Sequence, residues 1–189
     1  MHVSAFRSEL LSTLLRGSSA AFLLCATLQA IAASDPNVIN ITAICFDPLM
    51  IVMEQCDTCL ADYLSQRTAA AAQITSYTPY SWPVLVDLAS QAAAALAYLH
   101  RTPLGILHND VRALNMLLTS PSQQQLMNGG KAQLTLQLCD FGIAEFVGTR
   151  EEAVVPSVTD AMWLPPELKS PPGDRRVSKK TDVFALGEL

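Results

Sequence analysis

At 189 residues the chain has the length of one domain with a substantial core. Half of its residues are hydrophobic and only 15% are charged, which excludes global disorder. The net charge of −5 leaves no basic surface of the kind that nucleic acid or an anionic membrane needs.

The first 33 residues admit two readings. Arg7 and Arg16 precede an apolar stretch, Ala20 to Leu28, and then Ala30-Ile31-Ala32-Ala33, the pattern of a secretory signal with a small-residue cleavage site. The same stretch reads as a buried helix leading into a first strand, and it is too short to span a bilayer comfortably. Asp35-Pro36-Asn37 signals a turn. The β-branched run 38–45 and the apolar run 49–53 predict two strands separated by Asp47-Pro48. Residues 57–66 suit a short helix, and 67–80, rich in Ala, Thr, Ser, Tyr and Pro, read as a loop.

Ser81-Trp82-Pro83 is a helix start, with a serine cap and proline in the first turn. Apolar residues at Leu85, Leu88, Ala92, Leu96 and Leu99 carry that helix to about His100. Residues 115–118 and 134–138 predict two strands joined by an enlarged polar hairpin loop that contains Asn128-Gly129-Gly130. Residues 145–181 read as mostly irregular, and 181–189 as the beginning of a helix. There are no internal repeats. The five cysteines, Cys25, Cys45, Cys56, Cys59 and Cys139, are odd in number and scattered, which points to ordinary thiols in a reducing, cytoplasmic compartment. Cys56-Asp57-Thr58-Cys59 is a lone C-x-x-C without two further zinc ligands at suitable spacing.

The chemistry concentrates in Leu107-His108-Asn109-Asp110-Val111-Arg112-Ala113-Leu114-Asn115, followed by an apolar strand, and in Asp140-Phe141-Gly142. Together these resemble the catalytic loop and the magnesium motif of protein kinases. Trp163-Leu164-Pro165-Pro166-Glu167 resembles the end of that family's activation segment, and Asp182 to Gly187 the start of the large lobe's central helix. Leu96 to His100 resembles the helix entering the catalytic loop, and Met50 to Glu54 the strand leading to the hinge. Asp35 to Ile39 resembles the turn after the small lobe's helix, which favours the domain-helix reading of residues 20–33.

The resemblance covers about residues 20–189 and implies an α+β, two-lobed kinase fold, incomplete at both ends. The small lobe lacks its first three strands, and the large lobe stops at its central helix. Residues 1–19 would be an N-terminal segment, 20–54 a small-lobe remnant and 55–189 the large lobe. The implied function is ATP-dependent phosphoryl transfer to a Ser/Thr or Tyr hydroxyl of a protein substrate, with ATP and Mg as cofactors. Asp110 would orient or accept the substrate hydroxyl proton, and Arg112 would stand beside the γ-phosphate. Asn115 and Asp140 would hold magnesium through oxygen. Leu117 would touch the adenine from below, the backbone of Glu54 and Cys56 would bond its edge, and Met53 would gate the pocket behind it. His108 and Phe141 are implied packing residues.

Three departures from the pattern stand out. No G-x-G-x-x-G and no V-A-I-K-like strand occur, so the lid over the phosphates and the lysine gripping them are missing. The helix glutamate that would pair with that lysine falls near Ala26, with Glu9 reachable only through a long insertion. Asn109 replaces an arginine that reads activation-loop phosphate, so Thr149, Ser157 and Thr159 are expected to be plain loop hydroxyls. These departures keep open a non-catalytic, pseudokinase-like interaction module or a truncated gene product. The residues after Asp110 suit tyrosine kinases and tyrosine-kinase-like Ser/Thr kinases alike. Neither a membrane span nor a nucleic-acid partner is expected, and nothing in the sequence fixes an oligomeric state.

Overall fold

The computed structural model describes residues 34–71, 81–101, 104–121, 133–154, 165, 168 and 176–189. The segments assigned above to the N-terminal helix, the 122–132 loop, Trp163 and Glu167 lie outside them, as do Ser157 and Thr159.

Strands β1 (Ile41–Phe46) and β2 (Leu49–Met53) form an antiparallel hairpin closed at Asp47-Pro48, as the sequence predicts. The first strand starts three residues later than the run 38–45 suggested, because Val38 and Ile39 are committed elsewhere. Val38 forms a parallel bridge to Leu138, and Ile39 N–H donates to the Leu138 carbonyl at 3.0 Å. Both side chains are buried. The Asp35-Pro36-Asn37 turn is the latch. Asn37 Nδ2 donates to the Leu136 carbonyl at 2.8 Å and to Gln91 Oε1 at 3.0 Å.

A second, three-stranded sheet has the order β3 (Thr58–Cys59), β5 (Met116–Thr119), β6 (Thr135–Leu138), all antiparallel. Its alternation sends Met116 and Leu118 into the core, while Leu117, opposite both Cys59 and Gln137, faces the other side. Helix α1 (Leu60–Ala71) follows β3 directly and runs into residues read as loop. Arg67-Thr68-Ala69-Ala70-Ala71 contains strong helix formers and no breaker, so propensity carries the helix on.

Helix α2 (Trp82–His100) packs across β6 and buries Leu88, Ala92, Ala95, Leu96 and Leu99. It is long and apolar enough to cross a membrane, yet this stripe forms the middle of the main core with Leu136, Leu138, Ile106 and Phe141. The segment read as irregular contains three short strands. β4 (Ile106–Leu107) pairs with β7 (Glu145–Phe146), and β8 (Glu152–Val154) pairs with β9 (Arg176–Ser178). Gly105, with φ of 53°, lets the β4 entry touch Gly148 backbone to backbone, where any Cβ would overlap it. Helix α3 (Lys179–Gly187) begins two residues before the predicted start. Ser178 Oγ accepts the Lys180 N–H at 3.2 Å and Thr181 Oγ1 accepts the Ser178 N–H at 3.0 Å, a capping box.

Candidate active site

Asp110 and Asn115 are joined directly. Asn115, in a 3-10 turn at the entrance of β5 rather than in the strand itself, sends its Nδ2 to the Asp110 carbonyl at 2.9 Å and to Asp110 Oδ2 at 2.7 Å. The five-residue spacing thus becomes a clamp that fixes the carboxylate. The Arg112 guanidinium lies 4.0 Å from Asp110 Oδ1, with both side chains about one-third exposed. A charge pair this open is screened by water and adds little stability.

Beneath them His108 is fully buried. Its Nε2 faces the Cys139 carbonyl at 3.0 Å, and its Nδ1 faces the Asp110 N–H at 3.3 Å. A carbonyl can only accept and an N–H can only donate, so the ring is the neutral tautomer with its hydrogen on Nε2. Burial agrees, holding the imidazole below its ordinary pKa against the opposing pull of Asp182. His108 is therefore more than the packing residue expected of it. It stacks edge-on against Phe141 with centroids 4.9 Å apart and also ties the Asp110 backbone to Cys139, the residue between β6 and Asp140.

Asp140 adopts φ of 63° and is exposed. Its Oδ1 accepts the Gly142 N–H at 3.1 Å, and a Cβ on Gly142 would stand 3.0 Å from that same oxygen. Glycine here leaves the carboxylate its room. Cys139, just before it, is buried, and that burial with the neighbouring Asp140 charge pushes its thiol up to about 12, so it stays protonated.

Sequence reasoning placed Asp182 only at a helix start and assigned it no role. Its carboxylate is fully buried and accepts three hydrogen bonds of 2.8 Å, from the His108 N–H, the Asn109 N–H and His100 Nε2. The signal for it was a carboxylate in the first turn of an apolar helix, which on its own reads as a favourable dipole contact.

At the other end of the sheet, Met53 and Glu54 are exposed, while Cys56 and Leu117 are half-buried. Among the described residues no group pairs with the Glu54 carbonyl or the Cys56 N–H, whereas the Glu54 N–H is taken by Asn40 and the Asp57 N–H by Leu118. Cys56 Sγ lies 3.6 Å from Gln137 Oε1, on the Leu117 face of the sheet. The four cysteines among the described residues are free. A polar cavity of about 580 Å³, lined in part by Asp87, Gln91 and Gln133, opens behind this segment, away from the carboxylates of Asp110 and Asp140.

Residues 18–189 match the family model for protein tyrosine and serine/threonine kinases. The chain belongs to this kinase family. It is similar to the probable serine/threonine-protein kinase pats1 of Dictyostelium discoideum, with 27% identity over 154 residues, 82% of this chain and 4% of that protein. It is 29% identical over 156 residues to the probable serine/threonine-protein kinase roco9 of the same organism, covering 81% of this chain and 4% of the relative. The mouse dual specificity testis-specific protein kinase 1 is 28% identical over 157 residues, 80% of this chain and 22% of its own length. The chain therefore spans a small part of each of these relatives. One buried polar network around His108 and Asp182 holds the segment that carries the Asp110–Asn115 clamp.

Proposed function

We propose that this chain carries the phosphoryl-transfer centre of an ATP-dependent protein kinase that acts on protein hydroxyls. The observation that carries the reading is the clamp between Asn115 and Asp110. With its amide nitrogen committed there, Asn115 keeps only its side-chain oxygen for a cation, and Asp140 adds an exposed carboxylate. Two hard oxygen donors suit magnesium. Bound MgATP supplies the γ-phosphoryl group, the cation neutralising charge on its oxygens.

In this reading the Asp110 carboxylate, oriented by Asn115, accepts the proton of the attacking hydroxyl. Arg112 places a fixed positive charge beside the phosphoryl oxygens. The Glu54 carbonyl and Cys56 N–H, which meet no partner among the described residues, receive the adenine edge, Leu117 supports its face, and Met53 borders the pocket behind it. Residues 20–54 then belong to the smaller lobe and 55–189 to the larger. The free thiols suit the cytoplasmic setting proposed for it. The names of the relatives support Ser/Thr as acceptor, with a dual specificity kinase among them.

The test is magnesium-dependent ATP binding by calorimetry together with γ-phosphoryl transfer to a generic protein substrate. Asp140→Asn is expected to weaken magnesium-dependent binding about tenfold or more. Asp110→Asn is expected to leave binding intact and to lower transfer by about 10²–10⁴-fold. Nucleotide binding that ignores both magnesium and Asp140 would sink the reading.

A second reading rests on one sequence fact. Asn109 stands where the kinase catalytic loop that this segment resembles has an arginine. A kinase-derived module that binds partners without transferring phosphate fits that fact. It predicts no phosphoryl transfer even when MgATP binds.

A further inference from the structure

Asn109 is the residue whose geometry the catalytic scheme leaves unused. It adopts φ of 64°, a left-handed conformation that asparagine tolerates better than most side chains. Its backbone N–H donates to Asp182 Oδ1 at 2.8 Å, anchoring it to helix α3. Its side-chain Nδ2 donates to the Ile143 carbonyl at 3.0 Å, one residue beyond Asp140-Phe141-Gly142. Its Oδ1 is shielded from solvent and meets no donor among the described residues. A left-handed backbone and a buried lone acceptor are both locally costly, so this side chain is poorly explained as a stabiliser.

We propose that Asn109 is a positioning residue. It clasps the catalytic loop to the exit of the magnesium loop and thereby sets the placement of Asp110 relative to Asp140. Asp110 follows Asn109 directly, and Asp140 lies three residues before the clasped carbonyl. The two carboxylates are carried by separate segments, one leading into β5 and the other following β6. The Asn109–Ile143 bond lies beyond both, closing the circuit that His108 Nε2 begins at the Cys139 carbonyl. Two ties on either side of Asp140 restrict its loop far more than one would. The proposal rests on the reading of Asp110 and Asp140 as the reacting pair.

The experiment compares the full chain with Asn109→Gly and Asn109→Asp by site-resolved amide hydrogen exchange. Glycine keeps the left-handed backbone and removes the donor. Aspartate keeps the size and replaces the donor with an acceptor that repels Ile143. In both variants the Gly142 and Ala144 amides are expected to exchange about tenfold faster, as one surface-edge hydrogen bond allows. Exchange in helix α2 is expected to stay unchanged, and the glycine variant is expected to melt within about 2 °C of the parent. Unchanged exchange at Gly142 and Ala144 would overturn the clasp. So would acceleration shared equally by α2, which marks a general structural role. Binding of Mn²⁺ with ADP to the same proteins supplies the second readout, with weaker Mn²⁺ affinity expected in both variants. If the parent binds no Mn²⁺–ADP, the nucleotide-site reading fails by itself, and the exchange rates still decide the clasp.

Discussion

Asp182 shows how one buried carboxylate can organise a loop it does not belong to. Substituting alanine leaves the His108 and Asn109 amides and the His100 ring without an acceptor in a site closed to water. The expected loss of stability is about 3–5 kcal/mol, read from urea unfolding. His108 gives a pH signature. Its native pKa lies below the ordinary imidazole value of about 6.5, because burial disfavours the charged ring. The unfolded chain therefore takes up this proton first as pH falls. Its contribution to stability is fully present above that ordinary value and is lost as pH drops towards the lower native one. Asp182, Asp110 and Asp140 oppose the shift without reversing it. Urea midpoints measured from pH 7.5 down to 5 should fall, and His108→Gln should flatten that slope.

At the scale of elements, helix α2 and the β5–β6 hairpin form the platform on which the site stands. Leu99 is fully buried in the core cluster that contains Ile106 and Phe141. Leu99→Ala is expected to cost about 2–5 kcal/mol by unfolding, with the upper end marking a cavity that does not collapse. The start of α3 is set by the Ser178–Thr181 capping box, and Asp182 follows one residue later. Ser178→Ala should cost about 1 kcal/mol and should speed exchange of the His108 amide, which bonds to Asp182. The α2 periodicity was legible because four of its five predicted apolar positions are fully buried and the fifth, Leu85, half-buried. The two-residue strands β3, β4 and β7 were not legible. Each is too short to show alternation and exists only because a distant partner supplies its hydrogen bonds.

For the whole molecule, the exposed apolar side chains are as informative as the core. Trp82 and Val86 on α2 and Val183 on α3 are more than half exposed, and Met50, Val52 and Met53 on β2 are exposed to a lesser degree. Apolar area of this kind favours association. Val86→Lys with Val183→Lys is expected to raise the concentration at which the chain stays monomeric in sedimentation, with little change in melting temperature. Unchanged association would place the sticky surface elsewhere.

The sequence by itself determined the kinase resemblance and singled out Asp110, Arg112, Asn115 and Asp140 as the candidates for its chemistry, because such chemistry needs fixed residue types at short, local spacings. It also determined helix α2 and the β1–β2 hairpin, whose periodicities and turn residues are local signals. The tertiary structure alone decided the tautomer of His108, the burial of Asp182 and the clasp made by Asn109. Those depend on which carbonyl or carboxylate lies opposite a given donor, across 31 residues for His108 and Cys139 and 74 for His108 and Asp182. No local pattern encodes such a partner. Folding supplies it, and burial then makes each of these hydrogen bonds costly to lose.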